Sequence, residues 1–292
     1  MEPNGQTRNR DVKRILFVTL ILNWLVALAK IVYGIYTGCM SMTADGIHSL
    51  TDGVSNIIGL VGINIASKPK DKDHPYGHKK YETFASLAIA GLLAIVCFNL
   101  IKESINRFLN PTIPQVDLKS FIIIISTMIV NFLVMKYEYK KGKQLKSDAL
   151  VSDSMHTKSD IFTSLSVIVT LIAIKLGYPI LDPIATIIIS LFIANTAYAI
   201  IKNSSDVLCD TAVIDEKKIK SIVLNISGVE TCHKIRTRGR PDDIYLDLHI
   251  QINPDTQIDE AHEISNAIEA AIKFNIKEIT DVVVHMEPVG GK

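Results

Sequence analysis

Two short stretches of this chain repeat one arrangement of metal-friendly side chains. His48-Ser-Leu-Thr-Asp52 lies in one apolar segment and His156-Thr-Lys-Ser-Asp160 lies in another. Residues four apart share a helix face one turn apart, so each pair makes a two-toothed clamp. If the two helices are neighbours, two imidazole nitrogens and two carboxylates converge. Such a set suits tetrahedral zinc and tolerates cobalt or iron, whereas an all-oxygen site would suit manganese and thiolates copper(I). Ionisable groups inside a bilayer line cavities or ion routes, because burying them against lipid is costly. Two carboxylates and two neutral imidazoles around a 2+ ion sum to zero, so metal removes the cost that empty carboxylates carry. Binding then competes with protons, which is a physical basis for exchange of one for the other. Asp45 stands one turn before His48. It is read as a fifth ligand, as a hydrogen-bond partner of nearby polar groups, or as a point on the ion's route.

Two further clusters carry donors. Asp71, His74 and His78 fall within eight residues of a charged loop, KPKDKDHPYGHKK (68–80), which as an exposed loop would look much the same without metal. His233, His249, His262, His285 and Glu287 are spread over the last sixty residues, where the wet faces of strands can bring them together.

The elements that must hold these residues follow from hydropathy. About 20 apolar residues cross a bilayer as a helix, and 292 residues allow one membrane bundle plus one small domain. The expected spans are 13–37, 42–66, 79–106, 116–140, 148–176 and 180–203, within a membrane domain of residues 1–209. Basic residues choose the side. The amino-terminal arm and the second and fourth loops carry Arg8, Arg10, Lys13, Arg14, Lys68, Lys70, Lys72, Lys79, Lys80, Lys136, Lys140, Lys141, Lys143 and Lys146. The opposite loops carry only Lys102, Arg107, Lys119 and Lys175, so both termini are expected in the cytoplasm. A net charge of +1 gives no reason to invoke nucleic acid, and four cysteines without a C-x-x-C pair argue against a disulfide framework. No cleavable signal peptide is expected, since the first apolar run is too long.

Residues 210–292 read as a soluble domain. A capped helix over 215–226 precedes a hairpin of 229–238 and 243–252, an amphipathic helix over 259–274, and a third strand over 279–287. The expected fold class is an all-α six-helix transmembrane bundle plus a small α+β domain of order αββαβ.

GIHSLTD (46–52), DKDHPYGHKKYE (71–82), SMHTKSD (154–160), GV-x-x-x-H-x-x-RTR (228–238) and VVHMEP (283–288) together resemble the cation diffusion facilitator family over nearly the whole chain. The resemblance implies a homodimer of multi-pass protomers in a prokaryotic inner (plasma) membrane, not an enzyme and without a cofactor. It implies export of Zn²⁺, with Fe²⁺, Co²⁺ and Cd²⁺ also admitted, in antiport with protons by alternating access. A non-transporting metal sensor, or a partner subunit of another transporter, is the alternative. Carried over, His48, Asp52, His156 and Asp160 match the transport site, and Asp71, His74 and His78 a loop site. His233, His249, His262, His285 and Glu287 match a binuclear site of the metallochaperone-like domain, and Lys80 and Asp210 a charge interlock. The chain departs from some relatives in having His48 for Asp, and Met286-Glu287 for Gln-Asp.

Overall fold

The computed structural model describes residues 5–145 and 148–290, with side chains except at 5–13, 148, 149 and 152. Arg8, Arg10, Lys13 and Lys146, which enter the charge count above, lie outside the described side chains. Six long helices come first: α1 (Gly5–Thr37), α2 (Met40–Ala66), α3 (Lys80–Leu109), α4 (Leu118–Gln144), α5 (Asp148–Lys175) and α6 (Leu181–Leu208). Each is long and apolar enough to cross a membrane. The tail follows as α7 (Glu216–Val223), β1 (Thr231–Arg240), β2 (Asp243–Ile252), α8 (Ile258–Asn275) and β3 (Ile279–Pro288). The chain groups into two compact units, 1–60 with 88–199, and 61–87 with 200–292.

The first unit is built for lipid. Its exposed positions include Phe17, Leu25, Val32, Ile129, Phe162 and Phe192, while its buried positions include Thr19, Lys30, Asp45, Asn131, Glu138, Asp160 and Asp182. That inversion of the soluble pattern is stable only where the outer face meets hydrocarbon and the inner one meets other polar groups. Gly38 takes the turn between α1 and α2 at φ 67°, where its amide and that of Cys39 bond back to Ile35 and Gly34. Gly46 then lets α2 lie against the α1 backbone. A Cβ there would sit 2.9 Å from both Ala27 O and Ile31 N, so only glycine permits this approach. Asp117 caps α4 in a reciprocal capping box with Ser120.

In the second unit the tail sheet runs β1-β2-β3, antiparallel between β1 and β2 and parallel between β2 and β3, with α8 as the crossover. Along β2, Leu246, Leu248, Ile250 and Ile252 are buried against Ile219 and Val223 of α7 and Ile264, Ile268 and Ile272 of α8. The alternate residues Tyr245, Asp247, His249 and Gln251 occupy the uncovered face. Lys234, at φ 49°, makes a bulge that shifts the β1 register between His233 and Arg236. The helix expected over 215–226 ends at Val223.

Candidate metal centres

Within the first unit, α2 contributes His48 and Asp52 and α5 contributes Asp160. One ligand atom from each lies within 4.8 Å of the others. His48 Nε2 is 3.9 Å from Asp52 Oδ2. Asp160 is 6% exposed, and both its Oδ1 and His48 Nδ1 are buried without a hydrogen-bond partner. Buried polar atoms are nearly always satisfied, so a nitrogen and an oxygen left unpaired on two members of this cluster mark it as a donor set that lacks its acceptor. A divalent cation fits it.

His156 is not gathered with these three. Asp160 sits on the buried line of α5, which runs through Ser154, Thr157, Asp160, Ser164 and Val167, and His156 stands one residue off that line and is exposed. It is still close enough to act electrostatically on Asp52. Asp45 spends its Oδ2 on Lys30 Nζ at 2.9 Å, both side chains fully buried, while its Oδ1 is buried without a hydrogen-bond partner.

The loop between α2 and α3 gathers a second set in the other unit. Asp71 Oδ1 is 3.1 Å from His74 Nδ1, and Asp71 Oδ2 is 3.3 Å from His78 Nε2. Backbone hydrogen bonding from His74 holds the Asp71 carboxyl below its ordinary range despite some desolvation, and the His74 and His78 side chains add to this. The far nitrogen of His78 faces Pro69 O at 3.1 Å and that of His74 faces Tyr81 Oη at 3.3 Å, outer contacts that orient the ring of a ligating histidine.

In the tail, register does the gathering. His233 pairs with His249, and His249 with His285, so the three imidazoles form one row across the sheet. Glu287 reaches back to this row, 2.8 Å from His249 Nδ1, 3.2 Å from His233 Nε2 and 3.8 Å from His285 Nε2. Hydrogen bonding to His249 leads in holding its carboxyl below the ordinary 4.5, against slight desolvation, with Lys234 and His233 next. That contribution is therefore present above pH 4.5 and is lost as pH falls through the depressed folded value. His262 is not part of the row: it is exposed on α8, which covers the opposite face of the sheet. Of the row, His233 and His249 gather with Glu287 into one compact ligand group, while His285 is 61% exposed and stands outside it. Glu287→Ala is expected to weaken Zn²⁺ binding by residues 206–292 about tenfold or more in calorimetry, since its carboxylate is the only acidic member of that group. An unchanged isotherm would remove Glu287 from the ligand set.

Lys80 Nζ and Asp210 Oδ1 are 3.9 Å apart, both about half exposed. Sequence reasoning missed the tighter network beside them. Lys79 Nζ is 2.8 Å from Asp242, and Arg240 is 2.9 Å from Glu82 and 3.0 Å from Asp242. Burial pushes the Asp242 carboxyl up, but Lys79 and Arg240 together hold it below its usual value.

Two family models cover most of this chain: the cation efflux transmembrane domain over residues 16–209 and the cation efflux protein cytoplasmic domain over 213–289. The protein belongs to the cation diffusion facilitator family. An uncharacterized transporter of Methanocaldococcus jannaschii is 31% identical over 96% of this chain and 99% of its own length. The manganese efflux system protein MneP of Bacillus subtilis is 29% identical over 96% and 97%. The solved structure titled MamM CTD, copper form, is 28% identical over 26% of this chain and 87% of its own, with a TM-score of 0.25. As a member, the facilitator described here is a multi-pass membrane transporter of divalent metal cations in the efflux direction, not an enzyme.

Proposed function

We propose that this facilitator exports Zn²⁺ from the cytoplasm in exchange for protons, through a site formed by His48, Asp52, His156 and Asp160. The observation that carries the reading is the convergence of His48, Asp52 and Asp160 with two buried atoms left unpaired. A rotation of the exposed His156 side chain toward Asp52 completes an N₂O₂ set, which favours zinc. Arrival of the ion replaces protons on the same atoms, and their return on the far side releases it. Lysine and arginine bias supports an orientation with both termini in the cytoplasm. The loop and tail clusters bind the same ion class, and the tail pairs two protomers into a homodimer.

Manganese is the second reading, because relatives such as MneP and MneS are named for manganese efflux. Both ions are tested in one experiment. In proteoliposomes containing the full chain, an imposed pH gradient is expected to drive Zn²⁺ movement, with at least about tenfold preference over Mn²⁺ at equal concentration, as imidazole ligands imply. Flux indifferent to the gradient would remove proton coupling. Preference for Mn²⁺ would replace zinc as cargo while leaving the site in place.

A further inference from the structure

Lys30 is the one fully buried lysine among the described residues, and it lies inside a helix that crosses the membrane. Its ammonium meets two groups. Asp45 Oδ2 of α2 is 2.9 Å away, and Ser164 Oγ of α5 is 2.8 Å away. Ser164 in turn donates to the same Asp45 oxygen at 2.8 Å, closing a triangle between three helices. Each corner is tied to a residue of the candidate site. Asp45 is one turn before His48, Ser164 is one turn after Asp160, and Lys30 joins the two through its ion pair and hydrogen bond. The close approach at Gly46, packed between Ala27 and Ile31, brings the lysine to this position.

We propose that Lys30 is the charge-setting residue of the transport site: by neutralising Asp45 it fixes the cavity at the two negative charges of Asp52 and Asp160, matched to a doubly positive ion. This inference rests on the site reading above. A third free carboxylate one turn from His48 would overbind the ion and slow its release, whereas an unpaired ammonium would repel it. Coulomb interactions at such separations in a protein interior change affinity by large factors, and a divalent ion feels each unit charge twice. Ser164 holds the ammonium on Asp45 and keeps it from bonding to Asp160, where it would compete with the cargo. Asp45 and Asp160 each keep an unpaired Oδ1, and what separates them is that Asp45 Oδ2 alone takes the ammonium and the Ser164 hydroxyl.

The pattern of charge variants separates this role from a plain structural ion pair. Asp45→Asn leaves Lys30 uncompensated, so the half-saturating Zn²⁺ concentration for flux in proteoliposomes is expected to rise about tenfold or more. Lys30→Met frees Asp45, and half-saturation is expected to fall while maximal flux drops. The double variant Lys30→Met with Asp45→Asn restores the charge, so its half-saturation should return to within about threefold of wild type, as coupled sites require. A structural pair would shift both single variants in the same direction. If Lys30→Met does not assemble, Asp45→Asn against the double variant still decides. An unchanged half-saturation in Asp45→Asn, or a double variant no closer to wild type than Asp45→Asn, overturns the proposal. Asp52→Ala, run alongside, keeps the two readings apart. Flux surviving in it removes the site itself, whereas flux lost in it with Asp45→Asn unchanged removes only the role of Lys30.

Discussion

Asp52→Ala and Asp160→Ala are each expected to cut Zn²⁺ flux in proteoliposomes at least about a hundredfold, since even an outer partner of a metal ligand is worth 10–100-fold. Either change removes an anionic oxygen from the cluster in which His48, Asp52 and Asp160 lie within 4.8 Å of one another. Two effects compound. The ion loses a ligand, and the remaining carboxylate no longer cancels its charge, so carrying a divalent ion through the low-dielectric interior becomes costly. Asp→Asn at the same positions keeps the volume and should lose nearly as much, which separates charge from packing. Protein yield and elution volume on size exclusion should stay at wild-type values, because among the described residues neither side chain bonds to another helix: Asp160 Oδ1 has no partner and Asp52 is about a third exposed. Flux near wild type in either aspartate variant would mean that the ion passes elsewhere.

The parts of this arrangement that were legible from sequence are the ones written in local spacing. His48 with Asp52, and Asp71 with His74 and His78, are neighbours along one helix or one loop, so helical geometry or chain proximity alone brings them together. The histidine row of the tail was half legible. Alternation along β2 put His249 on the wet face, and register with β1 and β3 supplied His233 and His285. That alternation does not say which face α8 covers, and His262, on α8, lies on the side of the sheet away from the row. The repeated His-x-x-x-Asp spacing predicts His156 beside Asp160, but the buried line of α5 passes through Thr157 instead. The contacts that escaped altogether join residues far apart in the chain: Lys30 with Asp45 and Ser164, and Asp182 with Met40 and Ser41. A signal did exist. A lysine in the middle of an apolar run requires an acidic partner within the bundle, and Lys30 had none nearby on α1. Alternating charge around Lys79, Glu82, Arg240 and Asp242 reads as an ordinary solvated surface, and only the fold reveals the network.

Asp182→Ala is expected to destabilise the bundle by about 3 kcal/mol, because it strands several buried donors at once and each unsatisfied group costs about 1–3 kcal/mol. Asp182, at the start of α6 and fully buried, caps a helix to which it does not belong. Its Oδ2 accepts the Met40 amide at 2.8 Å. Its Oδ1 accepts the Ser41 amide at 2.9 Å, the Ser41 hydroxyl at 2.6 Å and the Cys39 thiol at 3.5 Å. The first amides of any helix lack partners within it, and their partial positive charge favours an anion. In water such a loss is softened by solvent, but here the α2 amino terminus is buried, with Cys39, Met40 and Ser41 all at or below 7% exposure. The same helix carries Asp45, His48 and Asp52, so a frayed first turn alters the angle at which the site is presented. Thermal denaturation of the purified protein should therefore shift downward by several degrees, and Zn²⁺ flux should fall with it. Asp182→Asn keeps one acceptor oxygen for either amide and should lose roughly half as much stability. A melting temperature unchanged in Asp182→Ala would show that the α2 amides find other partners, and would dissolve the link between α6 and the helix that presents the metal ligands.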